Sequence, residues 1–417
     1  MRHDGAMDLR RRGTNLPKMG DFNQSVILEA IRRSHGGLSR TELVGATGLS
    51  AQTVTNITRR LLDERLIEEA GRTIQGPGKP RTTLRLNAGS RLSIGVHLDP
   101  AMMTLVLLDL TGAVLERTRL RMHSDDARWI IAAMADSVEA LIRRSHVDRD
   151  AITGIGVATP GPIDAAHGTV IDPPKLHSWH RVPLRHALED ATGLHVRLEK
   201  DTTAAAVAEL WTGEHPPDGS FLFVYLGIGI GAALVLDGAV VRGASRNAGE
   251  IGHIMVDPDG PECLCGRRGC VEVVCTPQAI VERAERAGVL PDERVGSDAE
   301  SVDARFTELC EQAAGGDSGA RAVLETAVHH LSVLISDLTN MLDVDRVVLG
   351  GPFWSRLSEM CLALLPDLLH RSSATRAVRA LPVAGAVVGD DVGAVGAGCV
   401  VLDEVLTPRA AALLLDS

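Results

Sequence analysis

The sequence predicts an α+β winged helix-turn-helix head followed by an α/β body. Three observations carry this. The first 91 residues set 16 Lys plus Arg against 9 Asp plus Glu, a net of +7, while the remainder sets 27 against 45, a net of −18. The basic segment spaces its apolar residues like helices and closes in an alternating, Gly-Pro-interrupted hairpin pattern. Beyond Arg91, strand-like apolar runs alternate with amphipathic helical stretches. A basic head on an acidic body is the charge pattern of a nucleic-acid-binding module joined to a second function. Charge alone leaves ordinary solvated surface as the other reading.

The head is predicted element by element. Asn23 to Arg33 carries Val26, Ile27, Ala30 and Ile31 at helical spacing and stops at Gly36-Gly37. Ser39-Arg-Thr-Glu42 is a capping box, in which the Ser hydroxyl takes the N3 amide and the Glu reaches back. The short helix it opens is expected to turn Leu43 and Ala46 inward and to end at Gly48, with Leu49 filling the turn. Ser50 caps a third helix running to about Arg65, with Val54, Ile57 and Leu61 toward the core. Its opposite face carries Gln52, Asn56 and Arg59, flanked by Thr53, Thr55 and Arg60. That is a helix-turn-helix with its recognition helix last. Leu66-Ile67 then begins a strand, Gln75-Gly-Pro-Gly78 turns, and Thr82 to Leu86 returns. Lys79 and Arg81 on this wing are placed for phosphates or a minor groove. A three-helix protein-interaction domain is the competing assignment.

In the body, Ser93–His97, Thr104–Asp109, Ile152–Ala158, Phe221–Leu226, Ala232–Leu236 and Arg346–Leu349 are expected strands. Trp129–Arg143 and His329–Met341 are expected helices. Glycines cluster at strand ends, as in Gly227-Ile-Gly-Ile-Gly231 and Gly350-Gly351, where backbone amides can approach phosphates. Such runs also mark plain tight turns.

His253, Cys263, Cys265 and Cys270 fall within eighteen residues. One imidazole and three thiols are the ligand set of a tetrahedral structural zinc site, and Gly266 and Gly269 let a short loop wrap an ion. Core thiols are the bland alternative, but they have no reason to crowd into one Gly-rich loop. Seven cysteines argue against a secreted disulfide scaffold. Cys310, Cys361 and Cys399 stand alone and are expected in the core, while Cys275 is a reserve ligand. At 2% aromatics the core must rest on aliphatic residues. No apolar run reaches the length of a membrane span, and Met1–Gly20 lacks the apolar segment of a secretory signal. The expected location is cytoplasmic.

Four body segments, taken in order with the metal loop, carry a resemblance. They are Gly154-Ile-Gly-Val-Ala-Thr-Pro-Gly-Pro-Ile-Asp164, Glu199-Lys-Asp201-Thr-Thr-Ala-Ala-Ala, Gly249-Glu-Ile-Gly-His253 and Gly269-Cys-Val-Glu272. From about Asn23 onward the chain resembles the ROK family, named for repressors, open reading frames and kinases. The resemblance implies an actin-like, sugar-kinase-like (ribonuclease H-like) body of two α/β lobes around a cleft. It also implies a winged helix-turn-helix of the kind the family's repressors carry and its kinases lack. Domains follow as a disordered tail over 1–20, a DNA-binding domain over 21–88, one lobe over 89–200 plus 393–417, and a second over 201–392 with the zinc loop.

The family's kinases hold ATP with an Asp-x-Gly-x-Thr loop after the first strand of the body. This chain has His97-Leu-Asp99-Pro100-Ala101 there. Pro100 has no amide to give, Asp99 repels phosphate, and the Thr hydroxyl and leading Asp are gone. In the second phosphate loop Ile228 stands for a family Thr. The cleft is therefore expected not to support Mg·ATP chemistry. On the sugar side, Asp201 aligns with the kinases' general base, and Glu250, His253 and Glu272 align with groups that hold sugar hydroxyls. Lys200 stands where the family usually has Asn, replacing an amide with a cation that can pair with Asp201 and so alter or block the pocket.

The function that follows is a DNA-binding repressor of carbohydrate-metabolism genes, with structural zinc and a body that senses a sugar or sugar derivative. The expected partners are a palindromic double-stranded DNA operator and a second copy or three more, as homodimer or homotetramer, with no membrane. A sugar kinase with an appended head, and a regulator with a vestigial pocket, are the alternatives.

Overall fold

The computed structural model describes residues 16–34, 36–73, 81–213, 216, 218–291 and 298–406. They fall into two compact units. One runs to Arg91 and includes Asp109–Thr111 and the stretch from Leu402, and the other comprises Leu92–Leu108 and Gly112–Val401.

The head unit holds α1 (Leu16–Arg33), β1 (Leu38–Ser39), α2 (Arg40–Thr47), α3 (Ala51–Asp63), β2 (Ile67–Thr73) and β3 (Arg81–Leu86). Both expected caps are present. Ser39 accepts from the Glu42 amide while Glu42 reaches back to the Ser39 amide at 2.7 Å, and Ser50 caps α3 through the Thr53 amide. Each such cap contributes about 1 kcal/mol. Gly48 closes α2 in the left-handed conformation at φ 68°. Ile27, Leu28, Ile31, Leu43, Val54, Leu61 and Leu84 form the head's fully buried core.

Four expectations need correction. The segment 1–20 is not all tail, because α1 begins at Leu16; Pro17 is tolerated in a first turn, and one Gly20 does not break a helix this long. Ala46 is exposed, since two turns of helix can present only a narrow face, and Leu43 occupies it. On α3 it is Thr58 rather than Ile57 that is fully buried; its hydroxyl donates to the Thr55 carbonyl and accepts from Arg40 Nε at 3.1 Å. The same helix ends at Asp63, because Arg65 takes the left-handed conformation at φ 58°. The hairpin pairs Ile67 with Leu86, and β1 adds to β3 as a third strand the sequence did not announce. The turn 74–80, and Lys79 with it, lies outside the described residues.

In the body unit, β4 (Leu92–Leu98), β5 (Met102–Leu108) and β6 (Val114–Arg121) form a meander, followed by α4 (Ala127–Ser145) and β7 (Ile152–Thr159). After the small hairpin β8 (Ile163–Asp164) and β9 (Thr169–Val170) come α5 (Leu184–Thr192), β10 (Val196–Lys200) and α6 (Asp201–Thr212). A second meander, β11 (Phe221–Leu226), β12 (Ile230–Leu236) and β13 (Ala239–Val241), precedes α7 (Val271–Val274), α8 (Pro277–Arg286), α9 (Ala299–Ala314) and α10 (Ser318–Leu342). The chain continues through β14 (Arg346–Gly350), α11 (Trp354–Ser372), β15 (Val383–Gly385) and α12 (Val392–Leu406).

The two sheets repeat one topology. Their orders, β6-β5-β4-β7-β10 and β13-β12-β11-β14-β15, each join an antiparallel meander to two parallel strands on its first member. This duplicated ribonuclease H-like sheet is the two-lobed, actin-like architecture. Each sheet has its own aliphatic core, one against α4 and α5, the other against α8 to α11. Two glycines explain how α12 seats on the first sheet: a Cβ on Gly95 would lie 1.9 Å from the Ala394 carbonyl, and one on Gly156 1.8 Å from that of Ala397. Among the described residues no helix is long and apolar enough to cross a membrane.

Candidate functional site

On the head, Gln52, Asn56, Arg59 and Arg60 are exposed along α3. Gln52 Nε2 donates to Asn56 Oδ1 at 3.1 Å, so the two amides, one turn apart, hold each other in position. Arg59 makes no hydrogen bond or ion pair among the described residues, whereas Arg60 lies 3.7 Å from Glu64. Thr53 and Thr55 are half-buried, and their hydroxyls turn back on the helix, to Ser50 and to the Ala51 carbonyl. Arg81 is exposed at the start of β3. Arg85 is spent on the Gly36 carbonyl at 3.0 Å.

The metal loop brings its four residues together. The ligand atoms of His253, Cys263, Cys265 and Cys270 all lie within 4.8 Å of one another. Cys263 Sγ is 3.4 Å from His253 Nδ1, and Cys265 Sγ is 3.7 Å from Cys270 Sγ. Backbone contacts set this geometry: Gly269 donates to Pro261, its carbonyl takes the Val256 and Asp257 amides, and Cys263 donates to Arg267. Cys270, the N-cap of α7, is fully buried, and burial with two neighbouring thiols pushes its thiol up to about 12. The reserve ligand Cys275 lies at the far end of α7, outside this group. Cys361 and Cys399 are buried and Cys310 packs at the core edge.

In the body cleft, Lys200 ends β10 and Asp201 opens α6. Lys200 does not pair with Asp201 as expected. Its Nζ lies 2.5 Å from Glu250 Oε1 and 3.2 Å from the Ala248 carbonyl, while Asp201 Oδ1 accepts from the Thr202 amide at 2.7 Å. The reason is direction, since adjacent residues across a strand-to-helix junction project differently. Burial pushes the Asp201 carboxyl up to about 7; Lys200 and the Thr202 amide oppose this, and Glu250 and Asp99 reinforce it. Glu272 is exposed on the first turn of α7, within electrostatic reach of His253 and Glu250.

At the other end of the cleft His97 is buried and bonded through Nε2 to the Tyr225 hydroxyl at 2.9 Å. Burial pushes its imidazole down to about 4, so it is neutral at pH 7. Asp99 Oδ1 accepts from the Ala101 amide at 2.9 Å, which removes that amide from service to a phosphate. His97, Asp99 and Ala101 line a cavity of about 290 Å³ together with Arg119, Arg121, Arg356 and Asp391. Asp391 holds both Arg117 and Arg119, at 2.5 and 2.8 Å.

Several contributors went unread in the sequence. Buried Glu199 takes Arg242 at 2.9 Å and Arg246 at 3.1 Å, and Asn247 clamps the Ile163 backbone with both side-chain atoms. Nothing local announces partners more than forty residues apart. Tyr225 was readable, as the chain's single tyrosine.

Residues 93–404 match the ROK family, and residues 24–68 match a winged helix-turn-helix DNA-binding domain. The chain belongs to the ROK family. It is similar to the xylose repressor of Caldicellulosiruptor bescii, 28% identical over 342 residues, 81% of this chain and 84% of that protein. It is also similar to the glucokinase of Halalkalibacterium halodurans, 26% identical over 317 residues, 75% of this chain and 95% of that one. Among solved structures, a ROK family transcriptional regulator homologous to the Escherichia coli Mlc protein superposes with a TM-score of 0.74 at 26% identity, covering 93% of this chain and 98% of that one. The kinase match covers 75% of this chain, while the regulator match covers 93% of it. A winged helix-turn-helix ahead of a ROK body makes the protein a DNA-binding transcriptional regulator.

Proposed function

We propose that the protein represses carbohydrate-metabolism genes, with its body acting as sensor of a sugar or sugar derivative and as dimerisation platform on a palindromic operator. The carrying observation is the exposed Gln52–Asn56 pair beside Arg59 on α3, in front of a three-stranded wing. Gln52, Asn56 and Arg59 are the base-facing residues, and Lys79 and Arg81 on the wing serve phosphates or a minor groove. Asn56→Ala is expected to cost about 1–3 kcal/mol on the true operator and to relax base preference locally. Lys79→Ala should weaken operator and scrambled DNA nearly alike and lower the salt slope by about one. A salt series of anisotropy titrations on both DNAs separates the two. Identical profiles for the two variants would refute this placement of the recognition helix.

His253, Cys263, Cys265 and Cys270 suit a structural zinc. With metal–sulfur bonds of about 2.3 Å, a tetrahedral site needs sulfur–sulfur edges of about 3.8 Å, close to the 3.7 Å between Cys265 and Cys270. Bound there, the ion would fasten the loop that carries His253 and leads into Glu272. Asp201, Glu250, His253 and Glu272 are the hydroxyl-holding groups of the sensor.

The body is no kinase in this reading. The Asp99 carboxylate takes the Ala101 amide, Pro100 has none, and His97 stands in for the carboxylate near the metal. Incubation with glucose, N-acetylglucosamine or xylose plus Mg·ATP is expected to give no turnover above background. Robust phosphorylation lost on Asp201→Ala would favour the kinase instead.

A further inference from the structure

Lys200 occupies a position that fold stability disfavours. It is the N-cap of α6, where Asn, Asp, Ser or Thr would accept from a first-turn amide, and it makes no cap bond. Its ammonium belongs to a residue at the positive end of a twelve-residue helix, where a cation is unfavourable. The side chain is also only 4% exposed, so the charge has been taken out of water. Local rules are broken in this way where function requires it.

The partners of that ammonium are held unequally. The Ala248 carbonyl at 3.2 Å is fixed backbone. Glu250, at 2.5 Å, has a side chain 65% exposed. The cation is therefore held in place, while its exposed counter-charge is free to turn into solvent once another anion takes over the ammonium. Gly161 keeps the adjoining space clear: a Cβ there would press to 3.3 Å on both Lys200 Cε and Glu250 Oε1. On the first turn of α6, the buried Thr202 hydroxyl has no hydrogen-bond partner among the described residues. A buried ammonium thus sits at a helix N-terminal residue, and the anion that now pairs with it is the exposed one.

We propose that the body's pocket selects an anionic sugar derivative, a sugar acid or a sugar phosphate, whose anion replaces the Glu250 carboxylate at Lys200 Nζ. This rests on the sugar-sensor reading above and names its ligand class. A neutral sugar would leave the Lys200–Glu250 pair intact, with one of the two Glu250 oxygens already held by the ammonium. An anion instead frees Glu250 to accept from hydroxyls. Charge-assisted bonds to a buried ammonium are the strong kind, which gives the selection its size.

The test uses full-length, metal-loaded protein at fixed ionic strength, with glucose, gluconate, glucuronate and glucose 6-phosphate, followed by melting temperature and calorimetry. At least one anionic sugar is expected to bind about tenfold or more tighter than glucose. The glucuronate and glucose 6-phosphate arms separate carboxylate from phosphate. In Lys200→Asn, which restores a cap and removes a buried charge, the unliganded protein should melt higher while the anion preference falls about tenfold. A merely structural lysine predicts the opposite: lower melting with ligand preference unchanged, which overturns the proposal. Glucose binding as tightly as the anions overturns it too, but leaves the sensor standing. No response to any of the four overturns both, and operator binding, measured in parallel, reports on the head alone.

Discussion

Cys270→Ser is expected to strip the metal from the protein, from one zinc per chain to none, and to unfold the loop between His253 and α7. Structural zinc is bound with an apparent 10–16 kcal/mol in small domains, and losing one of three thiolates forfeits most of it. Of the four residues, Cys270 is the one through which the loop connects to the core, being fully buried and the N-cap of α7. Its loss should therefore be felt by the adjoining α7 and by Glu272. Gly269→Ala should reach the same end without touching a ligand. That residue has φ 57°, and a Cβ on it would sit 1.5 Å from the Asp257 carbonyl. Metal analysis with limited proteolysis checks both variants. Full-length, folded wild-type protein free of metal, with a disulfide among Cys263, Cys265 and Cys270, would defeat the assignment, since a disulfide needs sulfurs about 2.05 Å apart.

How much of this was legible in the sequence depended on the range of the interaction. The capping box at Ser39, the Ser50 cap and the Gly48 turn are decided within four residues, and each stands where the spacing placed it. The grouping of His253, Cys263, Cys265 and Cys270 was legible for the same reason. Positions that depend on a partner element were less so. Ala46 and Thr58 trade places with expectation because the inner face of a short helix is set by what packs on it. The partner of Lys200 is fifty residues away, and the choice of Glu250 over the adjacent Asp201 follows from the turn between β10 and α6. Glycine showed both sides. Gly95 and Gly156 look like ordinary strand residues, and only the seat of α12 explains why no Cβ fits. The run His97-Leu-Asp99-Pro100-Ala101 was visible as a departure from the pattern of the family's kinases. That Asp99 would take the Ala101 amide, and that His97 would find Tyr225 across the cleft, needed coordinates.

Asp201→Asn is expected to stabilise the unliganded protein at pH 8 by roughly 2–4 kcal/mol, with the gain shrinking below pH 7 and vanishing near pH 4. Asp201 is buried, and its carboxyl is held near 7, chiefly by desolvation. An unfolded Asp titrates near 3.9. Between about pH 4 and 7 the native state keeps a proton that the unfolded state has released, so this group's contribution to stability falls as pH rises through that window. Above pH 7 both states are ionised, and the native one carries the full penalty of a desolvated charge. Asparagine has no such charge and can still accept from the Thr202 amide through Oδ1. His97 works in the opposite sense: with its imidazole held near 4, its contribution is present above pH 6.5 and lost as pH falls toward 4. Asp99, pushed up to about 6, adds to the Asp201 trend. Both remain in the variant, so to first order they drop out of the difference between the two proteins. Urea titrations of wild type and variant from pH 4 to 8 supply that difference. A gain that stayed constant with pH would assign the effect to hydrogen bonding rather than charge. Loss of sugar binding in the same variant would show what the buried carboxylate is kept for, because a group that lowers resting stability at neutral pH must be repaid when ligand hydroxyls reach it.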